Sequence, residues 1–328
     1  MKRAGIIGVG SYTPEKVLTN NDLEKMVETS DEWIKARTGI SYRRIAGENT
    51  ATSDMAVKAS FHALQRAGLD PGELDLIIGA TVTPDMMFPS TACVVQRRIG
   101  AFKAAAFDLS AGCTGFIYAL TTAAQFIASG MYRNILIFGA ETLSKIVDWQ
   151  DRNTCVLFGD GAGAAVISEV EQGGILESLL GADGGGKDLL FMPAGGSREP
   201  ASIETVRARK HYIKMNGNEV FKFAVKIMEE STRKVVEKAN LTMNDVALVI
   251  PHQANMRIID AAVKRLDIPK EKVMVNLDRY GNMSAASIPV ALDEAVREKR
   301  IKKGDKVVLV GFGAGLTWGA NLIEWSLN

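Results

Sequence analysis

Short unbroken apolar runs alternate along this chain with longer segments of helical period, and the alternation is written twice. Residues 66–81, RAGLDPGELDLIIGAT, run from a helix end through a short turn into an apolar strand, and residues 238–253, KANLTMNDVALVIPHQ, do the same 172 positions later. At that offset RNILIFGA (133–140) falls on DKVVLVGF (305–312), strands that contain Gly139 and Gly311, and the opening strand GIIGVGS falls more weakly on ESLLGAD at 177–183. Residues 52–67 and 220–239 read as amphipathic helices with charged outer faces. Residues 113–129, CTGFIYALTTAAQFIAS, carry no charge. A helix that is apolar all round belongs inside a protein, so each half predicts a strand–helix unit with one central helix buried between layers. The division falls near residue 172, giving halves 1–172 and 173–328 of an α/β protein. Residues 307–323 predict two buried strands joined by a glycine turn. Residues 184–212, Gly-rich and then charged, break the repeat and predict a long surface loop that covers a substrate.

Composition narrows the classes without naming one. A chain of 328 residues buries roughly three quarters of its unfolded surface. With 47% hydrophobic and 23% charged residues and a net charge of +1, it has the make-up of a globular protein and no general affinity for polyanions, which argues against nucleic acid as partner. No apolar stretch is long and unbroken enough to span a membrane. The start of the chain reads as a first strand rather than a secretion signal. Three cysteines, Cys93, Cys113 and Cys155, lack the number and spacing of a disulfide framework or a zinc site and suit a reducing cytoplasm.

Three residues sit where strand-to-helix architecture concentrates chemistry. Cys113 follows the strand-like AAAFDLS and the turn Ala111-Gly112 and opens the uncharged helix. The helix dipole favours its thiolate while burial opposes it, so the thiol is either a nucleophile or a small core residue. Cys93 and Cys155 read as core residues. His252 ends the strand VALVIP, whereas His62 lies on a solvated helix face and His211 in the long loop. Asn282 falls at the repeat offset on Ser110, three residues before Cys113, so the two begin equivalent helices; a helix N-cap is the ordinary reading of such an Asn. The glycines of FGDGAGAAVI (158–167) lack the last glycine and the strand-first order of a dinucleotide loop. Those of GFGAGLTWG (311–319) allow close backbone approach and N–H groups aimed at an oxyanion.

Together SAGCTGF, PHQAN, YGNMSAAS and GFGAGLTWG, in this order, resemble the β-ketoacyl-acyl carrier protein synthase III family, condensing enzymes of the thiolase superfamily. The resemblance runs from the first strand to the C-terminus. It implies a duplicated five-layer α-β-α-β-α fold, a homodimer, and a decarboxylative condensation of a short acyl-CoA with malonyl-acyl carrier protein that needs no cofactor. Cys113 would carry the acyl group, the N–H groups of Cys113 and Ala314 would hold the oxyanion, and His252 and Asn282 would stabilise the enolate. By the same resemblance Trp33, Arg37 and Arg152 would hold the CoA adenine and Asn255 the pantetheine arm. Phe88 would reach the acyl pocket of a partner subunit, and Leu143, Phe158, Leu190 and Met215 would line that pocket. Arg257, with Lys222, Lys264 and Arg265, would meet the acidic carrier protein; Arg257, Lys264 and Arg265 share one helical face.

Two departures stand out: Ala314 occupies the middle of the family's glycine triplet, and segment 193–212 is longer than usual. Polyketide starter enzymes share Cys, His and Asn, and a Cys-His-Asn thiol hydrolase has the same residue types.

Overall fold

The computed structural model describes residues 2–327. Five strands, β1 (Ala4–Tyr12), β2 (Leu76–Ala80), β3 (Ala105–Leu109), β4 (Asn134–Thr142) and β5 (Asp160–Glu169), form one sheet in the order β1-β5-β4-β2-β3. Four more, β6 (Gly174–Ala182), β7 (Val246–Pro251), β8 (Lys306–Gly313) and β9 (Thr317–Glu324), form a second in the order β6-β9-β8-β7. Strand directions correspond pair by pair. β5 is antiparallel to β1 and β4, as β9 is to β6 and β8, and β4–β2 is parallel, as is β8–β7. The fifth strand has a mere trace in the second half, an isolated parallel bridge between Val249 and Val273.

Side chains on β4 explain why its sequence shows no alternation of polar and apolar residues. Ile135 and Ile137 point to one core and Leu136 and Phe138 to another, as the two-residue period of a strand requires. After a short helix α1 (Asp31–Thr38), one outer core lies under helices α2 (Thr52–Ala67) and α3 (Thr91–Ile99), and the other under α5 (Gly217–Lys238) and α6 (Met256–Leu266). Between the sheets lie α4 (Gly115–Ala128) and α7 (Ser287–Arg297), whose Phe116, Leu120, Ile288 and Leu292 share one core with both sheets. The layering is therefore helix, sheet, helix, sheet, helix, the thiolase-like fold. The predicted helix 52–67 matches α2 residue for residue, and the predicted strands of 307–323 are β8 and β9.

The glycine run at 158–167 serves packing. Most of it forms β5, and a methyl group on Gly163 would come within 2.7 Å of the Pro289 side chain, so small residues here let α7 lie close on the sheet.

Two expectations need correction. Cys93 is exposed, because α3 turns Thr91, Ala92, Val95 and Ile99 inward and leaves Cys93 outside, against Ser90 Oγ at 3.1 Å. Cys155, in contrast, is buried. Segment 184–212 is also more ordered than a surface loop. Leu190–Phe191 pairs with Lys214–Met215, residues 203–207 form a helical turn, and Arg209 forks onto the buried Asp148 carboxylate. Among the described residues no helix is long and apolar enough to cross a membrane.

Candidate active site

The turn that presents Cys113 is built by backbone contact. Gly112 has a left-handed φ of 55°, Gly112–Thr114 form a single 3₁₀ turn, and α4 follows at once. A methyl group on Gly112 would lie 3.0 Å from the Ala314 nitrogen, and one on Gly313 would lie 2.6 Å from the Cys113 nitrogen. Neither glycine has room for a side chain, so the two backbones approach with the Cys113 and Ala314 amides side by side. Hydroxyls tie the two segments together: Thr317 Oγ1 donates to the Ala111 carbonyl at 2.9 Å, and Thr114 Oγ1 donates to Thr317 Oγ1 at 2.8 Å. Ala314, the departure from a glycine triplet, lines the same cavity edge as Cys113 and Gly112.

The backbone of the second half repeats the turn. Ser284–Ala286 form a 3₁₀ turn that runs into α7, and Ser284 has a left-handed φ of 47°. At the repeat offset Ser284 stands for Gly112 and Ala285 for Cys113. Asn282 lies just before it. Its Oδ1 accepts the Ser284 N–H at 2.8 Å, as a capping Asn would, while its Nδ2 makes no hydrogen bond among the described residues. The ordinary capping role and an available donor therefore coexist in one side chain.

His252 leaves the end of β7. Its N–H donates to the Val310 carbonyl at 2.8 Å, and its ring stands edge-on to Phe312 with centroids 5.5 Å apart. Burial alone pushes its pKa down to about 3, so the imidazole is neutral, and Nδ1 has no protein partner. Burial also pushes the Cys113 thiol up to about 12, and the nearby Glu141 carboxylate adds to the rise. Burial thus opposes ionisation of Cys113 at the head of α4.

Three adjoining cavities lie here. An apolar one of about 170 Å³ ends at Cys113 and is lined by Leu143 and Phe158, by Leu190, Phe191 and Met192 from the ordered segment, and by Ile213 just after it. A neck between Cys113 and the surface carries His252, Asn282 and Phe312. A wide surface cleft shares Met215, Phe221 and Asn255 with that neck and is rimmed by Trp33, Arg37, Lys222 and Arg257. A long, thin molecule with a polar head thus has a path from the surface to the thiol, and a short apolar tail has a chamber beyond it.

Two regions of the chain match the models of 3-oxoacyl-[acyl-carrier-protein] synthase III, residues 107–184, and its C-terminal part, residues 236–325. A β-ketoacyl-[acyl-carrier-protein] synthase III of Caldanaerobacter subterraneus subsp. tengcongensis is 64% identical over 98% of both chains. The chain belongs to the β-ketoacyl-acyl carrier protein synthase III family. Solved synthase III structures from Aquifex aeolicus and Thermus thermophilus superpose with TM-scores of 0.91 and 0.93, at 53% and 51% identity. Those matches cover 98% and 99% of this chain and the whole of each of theirs.

Around this synthase III site the remaining expected positions fall unevenly. The Arg152 guanidinium lies 4.8 Å from the centre of the Trp33 ring and Arg37 6.0 Å, a cationic and aromatic cluster at the cleft rim. Asn255 is the N-cap of α6; its Oδ1 accepts the Arg257 N–H and its Nδ2 donates to the Arg37 carbonyl at 3.0 Å, so it braces the cleft wall. Met215 lines the neck and cleft and not the apolar cavity, because its short strand pairing holds it on the outer side of Leu190. Phe88 lines none of these cavities. It is 85% exposed beside Met87, at 79%. On α6, Arg257, Lys264 and Arg265 are exposed, as is Lys222 on α5; Glu219 pairs with Lys222 and Glu229 approaches Arg265, which trims the positive patch.

Sequence reasoning missed Glu141 and Ser284. Glu141 is the one acid in the apolar strand β4, and Ser284 sits at the repeat offset from Gly112; both signals were present in the letters.

Proposed function

We propose that Cys113 takes a short acyl group from acyl-CoA and that the acyl-enzyme then condenses with malonyl-acyl carrier protein. Loss of CO₂ drives the step and leaves a 3-oxoacyl-acyl carrier protein, the opening reaction of fatty-acid synthesis. The observation that carries this reading is the meeting of the apolar cavity and the neck at Cys113, with His252 and Asn282 in the neck and the surface cleft opening into it.

The Trp33, Arg37 and Arg152 cluster holds the adenine end of CoA and its pantetheine arm passes Asn255 into the neck. In the tetrahedral intermediate the oxyanion rests on the Cys113 and Ala314 amides. After CoA leaves, the carrier protein's arm takes the same path. Its acidic surface meets Arg257, Lys264, Arg265 and Lys222. As CO₂ departs, neutral His252 and the Asn282 amide donate hydrogen bonds to the thioester oxygen, where enolate charge develops. The carbanion then attacks acyl-Cys113. Decarboxylation supplies the driving force, so no step calls for a redox cofactor.

The same site argues against a thiol hydrolase of the papain kind. Such enzymes rest as a thiolate–imidazolium pair, and burial here holds both partners neutral. In this reading Phe88 and Met87 pack against a second copy of the chain, and the three free thiols suit the cytoplasm. The apolar cavity, of the order of one that holds a benzene ring, accepts acyl groups of a few carbons.

Incubation with a panel of acyl-CoAs, followed by intact mass and peptide mapping, tests the reading. A single acyl adduct on Cys113 that disappears when malonyl-acyl carrier protein is added is expected. Rapid acyl-CoA hydrolysis with no dependence on the malonyl carrier would overturn it.

A further inference from the structure

Cys113 is buried and His252, whose Nδ1 has no partner, makes no hydrogen bond to it among the described residues, so the acceptor for the thiol proton lies elsewhere. Glu141, at the end of β4, is fully buried. It accepts hydrogen bonds from neutral groups alone: Thr81 Oγ1 at 3.2 Å, the Val82 N–H at 3.1 Å, and the Thr83 N–H and Oγ1 at 3.1 and 2.6 Å. Among the described residues no Lys or Arg pairs with it. The Ser284 hydroxyl lies against both the Cys113 thiol and the Glu141 carboxyl, yet is buried without a partner in full hydrogen-bonding geometry. Ser284 shares the wall of the apolar cavity with Cys113. It is held there by a left-handed φ of 47° that a non-glycine residue adopts only under strain. A strained serine with an unsatisfied hydroxyl between a nucleophile and an acid is a poor structural choice and a good proton path.

Resting on the reading that Cys113 is acylated, we propose that Ser284 is a further catalytic residue, which passes the Cys113 proton to Glu141. The Cys113 S–H proton moves to Ser284 Oγ as the Ser284 O–H proton moves to the Glu141 carboxylate. The sulfur electron pair forms the bond to the acyl carbon, collapse of the intermediate breaks the bond to the CoA sulfur, and the proton returns by the same route to the CoA thiolate. Glu141 acts through Ser284 as a positioning and proton-holding group. Burial pushes its pKa up to about 7, which suits it to exchange a proton near neutrality. Cys113 is the titratable group that faces it. The other groups in contact are the uncharged hydroxyls and amides already named.

Single-turnover acylation of Cys113 by acetyl-CoA, followed by quenched-flow mass spectrometry from about pH 5.5 to 8.5, tests the relay. Wild-type rates are expected to climb as pH passes through about 7, where Glu141 becomes an acceptor. Ser284→Gly suits the left-handed backbone and should melt no lower than wild type. Its acylation should be roughly 10²-fold slower with that rise gone. Glu141→Gln should behave likewise. Malonyl decarboxylation, measured on variants acetylated by long incubation, should change far less than acylation. If Ser284→Gly and Glu141→Gln acylate within about twofold of wild type and keep the same rise, the relay is wrong while Cys113 chemistry stands. Equal losses in both half-reactions with the rise retained would also overturn it, as the mark of a merely structural role. No acyl group on wild-type Cys113 would remove the underlying reading as well.

Discussion

Residues 112–114 and residues 284–286 are the same backbone device in two halves, and their side chains divide the chemistry. Both begin with a left-handed residue, make one 3₁₀ turn and enter a central helix. In the first copy the left-handed residue is Gly112, which lets the Ala314 backbone close in, and the next residue is Cys113, the proposed nucleophile. In the second it is Ser284, the next residue is the inert Ala285, and the proposed donors His252 and Asn282 flank the turn. The surrounding sheets show the same division, with five strands behind Cys113 and four behind the donors. Packing of the central helices constrains the backbone in both halves alike, and the residue types at equivalent positions are free to differ.

Replacing the nucleophile tests that division most severely. Cys113→Ser should lower condensation by roughly 10³-fold or more, because a hydroxyl lacks the nucleophilicity of sulfur and no strong base contacts it; product formation with acyl-CoA and malonyl-acyl carrier protein measures it. Changing the other half should give a different defect. His252→Ala is expected to slow malonyl decarboxylation by about 10²–10³-fold and still acylate Cys113, the loss expected of one donor to a developing oxyanion. Loss of acylation with decarboxylation intact would reverse the roles of the two halves.

Stability should sharpen the comparison further. The folded pKa of His252 is depressed to about 3, below the ordinary 6.5. The unfolded chain therefore takes up a proton that the folded one refuses, and this contribution to stability, present above about pH 6.5, is lost as pH falls toward 3. Between pH 7 and pH 4 the wild type should lose about 3 kcal/mol more than His252→Asn, read from urea midpoints. A smaller loss is expected at the first turn. Gly112→Ala should cost about 2 kcal/mol, from the left-handed φ and the 3.0 Å approach to the Ala314 nitrogen. The same measurement on Ser284→Gly should show no loss, since the two positions share a backbone and differ in what it must tolerate.

Much of this was legible in the letters. The offset of 172 located β2 and β4 on β7 and β8, and it aligned the two turns to the residue. It fails for β5 and β9, because a long excursion separates β4 from β5 and a three-residue turn joins β8 to β9. Cys93 was misplaced because a free cysteine is more often buried than exposed, whereas here Thr91, Ala92, Val95 and Ile99 take the side that faces the sheet. The apolar residues of segment 184–212 carried no signal that Phe191 and Met192 would line the cavity, since the pairing of Leu190–Phe191 with Lys214–Met215 that brings them there is tertiary.

What the sequence determined by itself was the duplicated α/β order, the buried central helices and the choice of Cys113, His252 and Asn282 as candidates. Those follow from local period and from motifs whose residues are neighbours in the chain. What the tertiary structure alone decided was protonation and access: a neutral His252, a buried thiol at Cys113, Glu141 facing both turns, and two cavities that meet at Cys113, one of them open to a surface cleft. Desolvation and cavity shape are sums over atoms that come from both halves of the chain, so no stretch of sequence contains them.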